Sequence, residues 1–183
     1  ENGISSFPPD LDSISIPKVC YLIDTHLHLL QHQEIARHFD FIFIAQKEYL
    51  SSFRTSGSPN TYWLPLACDP EIHGKVGTEI KYDVAFIGSI TASHTRRKRL
   101  LHEIGLHFNL LVDRKFMDEM SLAFSQSKIV FNEAIRNDLN MRVFEGLCAG
   151  NLLVTDTAPG SGLTELFHDK KHLAIYQDET LVD

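Results

Sequence analysis

No apolar run in the sequence approaches the roughly 18 residues that a membrane-crossing helix needs. Positive charge is also short. The 17 Lys and Arg stand against 24 Asp and Glu, a formal net charge of −7, which argues against a nucleic-acid partner held by phosphate neutralisation. Cysteine is scarce: Cys20, Cys68 and Cys148 are scattered and form no C-x-x-C. That predicts reduced thiols in a cytoplasmic protein rather than a disulfide framework or a zinc site. There is no internal repeat and no low-complexity tract. At 183 residues the chain is too short for a complete (β/α)₈ barrel of about 250 residues. What is present is an ordinary globular balance, 43% hydrophobic and 22% charged, enough for one large domain or two small ones. Residues 1–12 are polar, with no initiator Met and no charged-then-apolar leader, and an acidic cluster just before Asp183 reads as a helix start. The expectation is a piece of a longer protein, with a processed mature chain as the alternative.

Short apolar runs carry the fold. Val19 to Ile23, Phe39 to Ala45 and Tyr62 to Leu66 read as strands, the first two nearly unbroken, as in strands covered on both faces. A His-rich loop and helix separates the first pair, and a short helix (Gln46 to Arg54) and a turn (Ser56 to Asn60) the second. Asp69 to Lys81, with Pro, two Gly and many charges, is the best linker candidate. Beyond it the alternation becomes regular. Strands are expected over Tyr82–Gly88, Phe108–Val112, Lys128–Asn132, Leu152–Thr155 and Leu173–Tyr176. Helices are expected over Thr95–Ile104, Lys115–Gln126, Met141–Ala149 (closed by Gly150) and Gly162–Phe167. Five strands with four intervening helices predict an α/β fold with a doubly wound parallel sheet.

Four stretches are candidates for chemistry. Asp24-Thr25-His26-Leu27-His28 follows a strand. On an extended segment its two imidazoles would share one side, as in the D-x-H-x-H metal motif of amidohydrolases, but those enzymes are barrels. A metal-free role at the carboxyl end of a strand fits better. Gly88-Ser89 before the basic run Thr95–Arg99 would let a phosphate approach backbone and helix N-terminus; the bland alternative is a solvated basic helix. From Asn132-Glu133 to Gly146 a polar loop leads to a helix that Asn140 can cap. Arg142 and Glu145 lie three apart on it, either as a surface ion pair worth about 0.2–0.5 kcal/mol or as a polyol and anion site. Thr155 to Glu165 repeats the strand, Gly-rich loop and helix, whose N–H groups suit phosphate unless the glycines serve only the turn.

The stretch S-K-I-V-F-N-E (from Ser127), N-D-L-N-M-R-V-F-E-G-L-C-A-G-N-L-L-V-T-D (from Asn137), G-L-T-E-L-F and H-L-A-I-Y resembles the donor-binding domain of GT-B glycosyltransferases. The subgroup is that of family 4 and the spore-maturation glycosyltransferases. Asp83 to Ser89 with Arg96-Arg97 resembles the opening of the same domain. H-F-D-F-I-F-I-A-Q-K-E-Y and W-L-P-L-A-C-D-P-E-I-H resemble the end of the first domain and its hinge. The resemblance implies two Rossmann-like domains, here residues 1–75 (the end of the acceptor-side domain and hinge) and 76–183 (the nucleotide-sugar domain), with a cleft between them.

The resemblance further implies a nucleoside-diphosphate sugar donor, an acceptor that is saccharide, protein or lipid-linked, no cofactor and no metal. Glu145 matches the second Glu of the family's E-x₇-E motif, which contacts ribose. The first falls at Asn137, a departure that weakens the sugar contact. Arg142 is placed for the diphosphate, Gly160 and Gly162 match the Gly-rich turn, and Glu165 the acidic residue after it. Gly88, Ser89, Arg96, Asn140 and Met141 complete the expected donor site. His26 or His28 would stand in for the family's catalytic His, alongside Arg142. The expected activity is transfer of a sugar to a hydroxyl, with retention. A catalytically silent nucleotide- or sugar-binding module and a metal-dependent hydrolase are the alternatives.

Overall fold

The structure is a computed structural model that describes residues 10–182; most of the polar opening stretch and Asp183 lie outside them. The chain divides into two compact units, Glu1–Pro65 with Gly160–Gly162, and Leu66–Pro159 with Leu163–Asp183. The division falls after Pro65, ahead of the expected boundary at 75/76.

In the first unit, β1 (Val19–Leu22), α1 (Thr25–Ala36), β2 (Phe41–Ile44), α2 (Leu50–Thr55) and β3 (Thr61–Trp63) follow one another. The strands form a parallel sheet in the order β1-β2-β3. Side chains alternate across a strand, so Ile42 and Ile44 go to one face. There they meet Leu22, Ala36 and Phe53 in a closed core. Phe41, Val19 and Tyr21 take the other face and stay exposed.

In the second unit, α3 (Pro70–His73) precedes β4 (Tyr82–Ile87), α4 (Thr95–His107), β5 (Leu110–Asp113), α5 (Met117–Ser125), β6 (Ser127–Phe131), α6 (Met141–Cys148), β7 (Leu152–Thr155), α7 (Leu163–Leu166) and β8 (Ala174–Ile175). All pairings are parallel, in the order β5-β4-β6-β7-β8. The strands and helices expected from the alternation are therefore present, with ends shifted by a few residues. Val84, Phe86, Leu100, Leu101, Ile104, Phe131 and Tyr176 make the core; each large side chain so buried contributes about 1.5–3 kcal/mol. α6 stops where Gly150 takes φ 75°, and Asn151 Nδ2 donates to the Phe124 and Ser127 carbonyls behind it.

The stretch read as a linker is tied down over its first half. Asp69 caps α3 by accepting from the Glu71 N–H, and Pro70 stands in the first turn. Ser121 Oγ donates to the Gly74 carbonyl, and the Val76 N–H donates to Ser125 Oγ. Composition alone marks a polar Pro/Gly segment, but these bonds reach 47 and 49 residues along the chain and are invisible locally.

Candidate functional site

In the second unit the strand order reverses direction between β4 and β6, because the chain moves first to β5 and then back past β4. At such a switch point the loops leaving the two carboxyl ends part, and ligands of open α/β sheets bind there. Gly88 and Ser89 leave β4 at this point, and Asn132 and Glu133 leave β6.

Arg142 fills the gap. Asn140 caps α6, its Oδ1 accepting from the Arg142 N–H at 3.1 Å, which places Arg142 in the first turn. Its Nε donates to the Ile87 carbonyl at 2.8 Å and its Nη1 to Asn132 Oδ1 at 2.8 Å. The guanidinium lies over the Phe86 ring, 4.3 Å from its centroid. Nη2 takes no protein acceptor among the described residues, and it occupies the space of a side chain on Gly88, whose Cβ would lie 2.1 Å from it. A side chain on Gly88 would therefore displace the guanidinium. Burial and the nearby Arg97 push the guanidinium down to about 10, so it stays charged at neutral pH.

Asn132 is fully buried. Its Oδ1 serves Arg142 and its Nδ2 donates to Thr155 Oγ1 at 3.0 Å. Arg97 reaches the same loops. It donates to Glu133 Oε2 at 2.9 Å, to the Glu133 carbonyl at 3.0 Å and to the Ser89 carbonyl at 2.9 Å, and it also packs over Phe86. Arg97 thus fixes the turns after β4 and β6 to each other.

Arg96, expected at the phosphate, is committed elsewhere. It bonds Asp178 and Asp156, each at 2.6 Å, and reaches Glu133 at 3.3 Å. Burial works against its charge, but the Asp178 and Asp156 hydrogen bonds outweigh it and raise its pKa. One guanidinium among three carboxylates leaves no surplus of positive charge. Its partners lie 37 to 82 residues away in sequence, which is why the basic run looked free.

Glu145 lies on α6 beyond Arg142, and no ion pair joins the two among the described residues. Arg142 reaches the strand ends, whereas Glu145 faces His73, whose Nε2 is 3.9 Å from its Oε1. The Glu145 side chain is only 14% exposed. Burial pushes its carboxyl up, partly offset by His73 and Arg142. Met141 is half-buried in the first turn of α6, and Asn137 is exposed in a 3₁₀ turn with φ 61°. Glu165 is exposed on α7.

The remaining candidates belong to the first unit. Gly160 and Gly162 have φ 82° and 90°, and a Cβ on Gly162 would meet the Trp63 ring at 2.5 Å. His26 and His28 lie in α1 rather than on an extended segment. Residues two apart on a helix do not face each other, so the shared side expected for the two imidazoles does not form. His28 departs from helical geometry (φ −133°, ψ 30°), and its ring stands 5.8 Å from that of His32.

The sequence reasoning missed His73, Asn132 as an acceptor, and the role of Arg97. The signal for His73 was Asp69-Pro70-Glu71, a helix start inside a stretch read as linker.

The family described as glycosyl transferase-like matches residues 92–183. No curated protein matches the chain in sequence. Among solved structures, Anabaena HepE in complex with UDP and glucose is similar over 88% of this chain and 58% of its own, at 11% identity and a TM-score of 0.61. An alpha-glucosyltransferase in complex with UDP and a 13-mer DNA is similar over 94% of this chain and 62% of its own, at 15% identity and a TM-score of 0.67. Sucrose-phosphate synthase from Thermosynechococcus elongatus follows at 8% identity and a TM-score of 0.56, over 86% of this chain and 51% of its own. The chain thus spans about 60% of the length of the first two, and the shared architecture is that of GT-B glycosyltransferases.

Proposed function

Because the chain belongs to the glycosyl transferase-like family, we propose that it serves sugar transfer from a nucleoside-diphosphate sugar to an acceptor hydroxyl, with the donor bound at the β4/β6 switch point. One observation carries this reading. A half-buried Arg142 guanidinium is fixed by two protein acceptors and keeps Nη2 uncommitted beside Gly88, a glycine with no side chain in the way. A diphosphate oxygen accepts from such a donor in a charge-assisted hydrogen bond. The structures of HepE and of the alpha-glucosyltransferase were obtained with UDP, which supports uridine diphosphate as the first probe.

In the transfer, the bond from the sugar's anomeric carbon to the distal phosphate oxygen breaks, and a bond to the acceptor oxygen forms. The electron pair of the broken bond leaves with the diphosphate, and the acceptor hydroxyl's proton passes to the leaving phosphate oxygen or to solvent. Arg142 faces the diphosphate's negative charge as it develops, in a site where burial strengthens the interaction. Glu145 accepts from the ribose hydroxyls. Retention at the anomeric carbon, and a part for His26 or His28, belong to the same proposal.

Calorimetric titration with UDP tests it. Saturable binding that Arg142→Lys weakens at least tenfold is expected, because an ammonium cannot serve Ile87, Asn132 and a phosphate together. Bare uridine should lose less. Equal losses for UDP and uridine would remove Arg142 from the phosphate. A silent binding module is favoured by Asn137, an exposed amide where the family has Glu; UDP binding with no release of UDP from UDP-glucose in the presence of sugar acceptors would select it.

A further inference from the structure

We infer that His73 is a positioning residue for Glu145, holding its carboxylate in the orientation that receives the nucleotide's ribose. The inference rests on the donor-site reading above. His73 is 8% exposed and sits at the end of a helix of four residues. Its Nδ1 accepts the Asp69 backbone N–H at 2.9 Å, while Asp69 Oδ1 accepts the Glu71 N–H at 2.9 Å. The two bonds close the turn reciprocally, as in a capping box whose return acceptor is an imidazole. With the Nδ1 lone pair taken, the ring proton resides on Nε2. Nε2 points to Glu145 Oε1 at 3.9 Å, a separation that a small side-chain rotation or one bridging water converts to a hydrogen bond.

The local sequence therefore serves one end. Pro70 and Asp69 start the turn, the backbone of Asp69 fixes the tautomer, and the fixed tautomer presents an N–H to a buried carboxylate. A buried carboxylate without such a donor would swing toward solvent or keep its proton. His73 from α3 and Arg142 from α6 are the groups that oppose burial at Glu145. Arg142 is committed to the strand ends, which leaves His73 as the group that sets the carboxylate's direction.

Two measurements on the 183-residue chain test this. The first follows the Glu145 carboxyl by carbon NMR against pH in wild type and His73→Phe. The midpoint should move up in the variant; no movement overturns the inference, whether or not any nucleotide binds. The second titrates UDP into His73→Phe, Glu145→Gln and the double variant. His73→Phe should weaken UDP about tenfold, and the double variant should be within about twofold of Glu145→Gln, since contacting residues that act together are not additive. His73→Gln, which keeps an N–H, should recover part of the affinity and serves where Phe fails to fold. Additive losses would show that His73 does not work through Glu145. If wild type binds no UDP, the donor-site reading falls alone, and the carboxyl titration still decides the pairing.

Discussion

Glu145→Gln separates binding from stability. The side chain is 14% exposed, and His73 Nε2 lies 3.9 Å from its Oε1. Burial raises the carboxyl above its ordinary value, with His73 and Arg142 opposing. A carboxyl whose folded value is raised binds its proton more tightly in the native state, so stability falls as pH climbs from the unfolded value through the folded one. Above both values the full cost is present, about 1.4 kcal/mol for each pH unit between them. Glutamine has the same shape and no charge to desolvate. The variant is expected to be more stable than wild type at pH 8 and nearly equal to it at pH 4. The same change removes a charged acceptor worth about 1.5–3 kcal/mol to a ribose hydroxyl, a loss of roughly ten- to hundredfold in UDP affinity. Urea unfolding at the two pH values, paired with calorimetry, reads both. A variant less stable by more than about 1 kcal/mol at pH 8 would refute the reasoning, because it would make Glu145 a structural ion-pair partner. Unchanged UDP affinity would remove it from the ribose.

Gly88→Ala places a Cβ 2.1 Å from Arg142 Nη2; Gly88 is not among the positive-φ glycines, so the penalty is displacement of the guanidinium, about 1–3 kcal/mol in urea together with loss of UDP binding. Arg97→Met leaves the buried Glu133 carboxylate with only the longer Arg96 contact and is expected to cost about 3 kcal/mol, recovered in part by adding Glu133→Gln; a loss below about 1 kcal/mol would contradict the pairing. Asp178 is held below the usual carboxylate range by hydrogen bonds from Arg96 against the pull of burial, with Arg99 helping. Its stabilisation is present above the unfolded value and is lost as pH falls through the folded one, so Asp178→Asn should lower the melting temperature at pH 7 by an amount that shrinks as the pH is taken down through the acid range. Partial burial and the neighbouring Cys68 thiol push Cys148 up to about 11; its alkylation at pH 8 should run about a hundredfold slower in the folded chain than in urea, and equal rates would contradict the raised value.

The sequence by itself determined the strands and helices. Runs such as Phe41-Ile42-Phe43-Ile44 and Ala85-Phe86-Ile87 read as strands because a short unbroken apolar run rich in β-formers is a local signal, although coverage on both faces was not local: Phe41 stays exposed on one side of its sheet. Asn140 and Gly150 mark the ends of α6 because a capping oxygen and a left-handed φ are also local requirements. The family motif followed from the same stretch, so Arg142 and Glu145 could be named without coordinates. Tertiary structure decided what those side chains touch. Arg96, read as a phosphate ligand, meets Glu133, Asp156 and Asp178, which the loops after β6, β7 and β8 bring together only once the strands are in register. Arg142 and Glu145, three apart on one helix, part company because one reaches strand ends set by the β4–β6 pairing and the other meets a histidine from α3. His73 looked like linker because the side chains that hold its segment, Ser121 and Ser125 of α5 and Glu145 of α6, come from distant elements. A charge pattern along the chain is fixed by neighbours a few residues away, whereas its partner is chosen by the crossover order of a sheet.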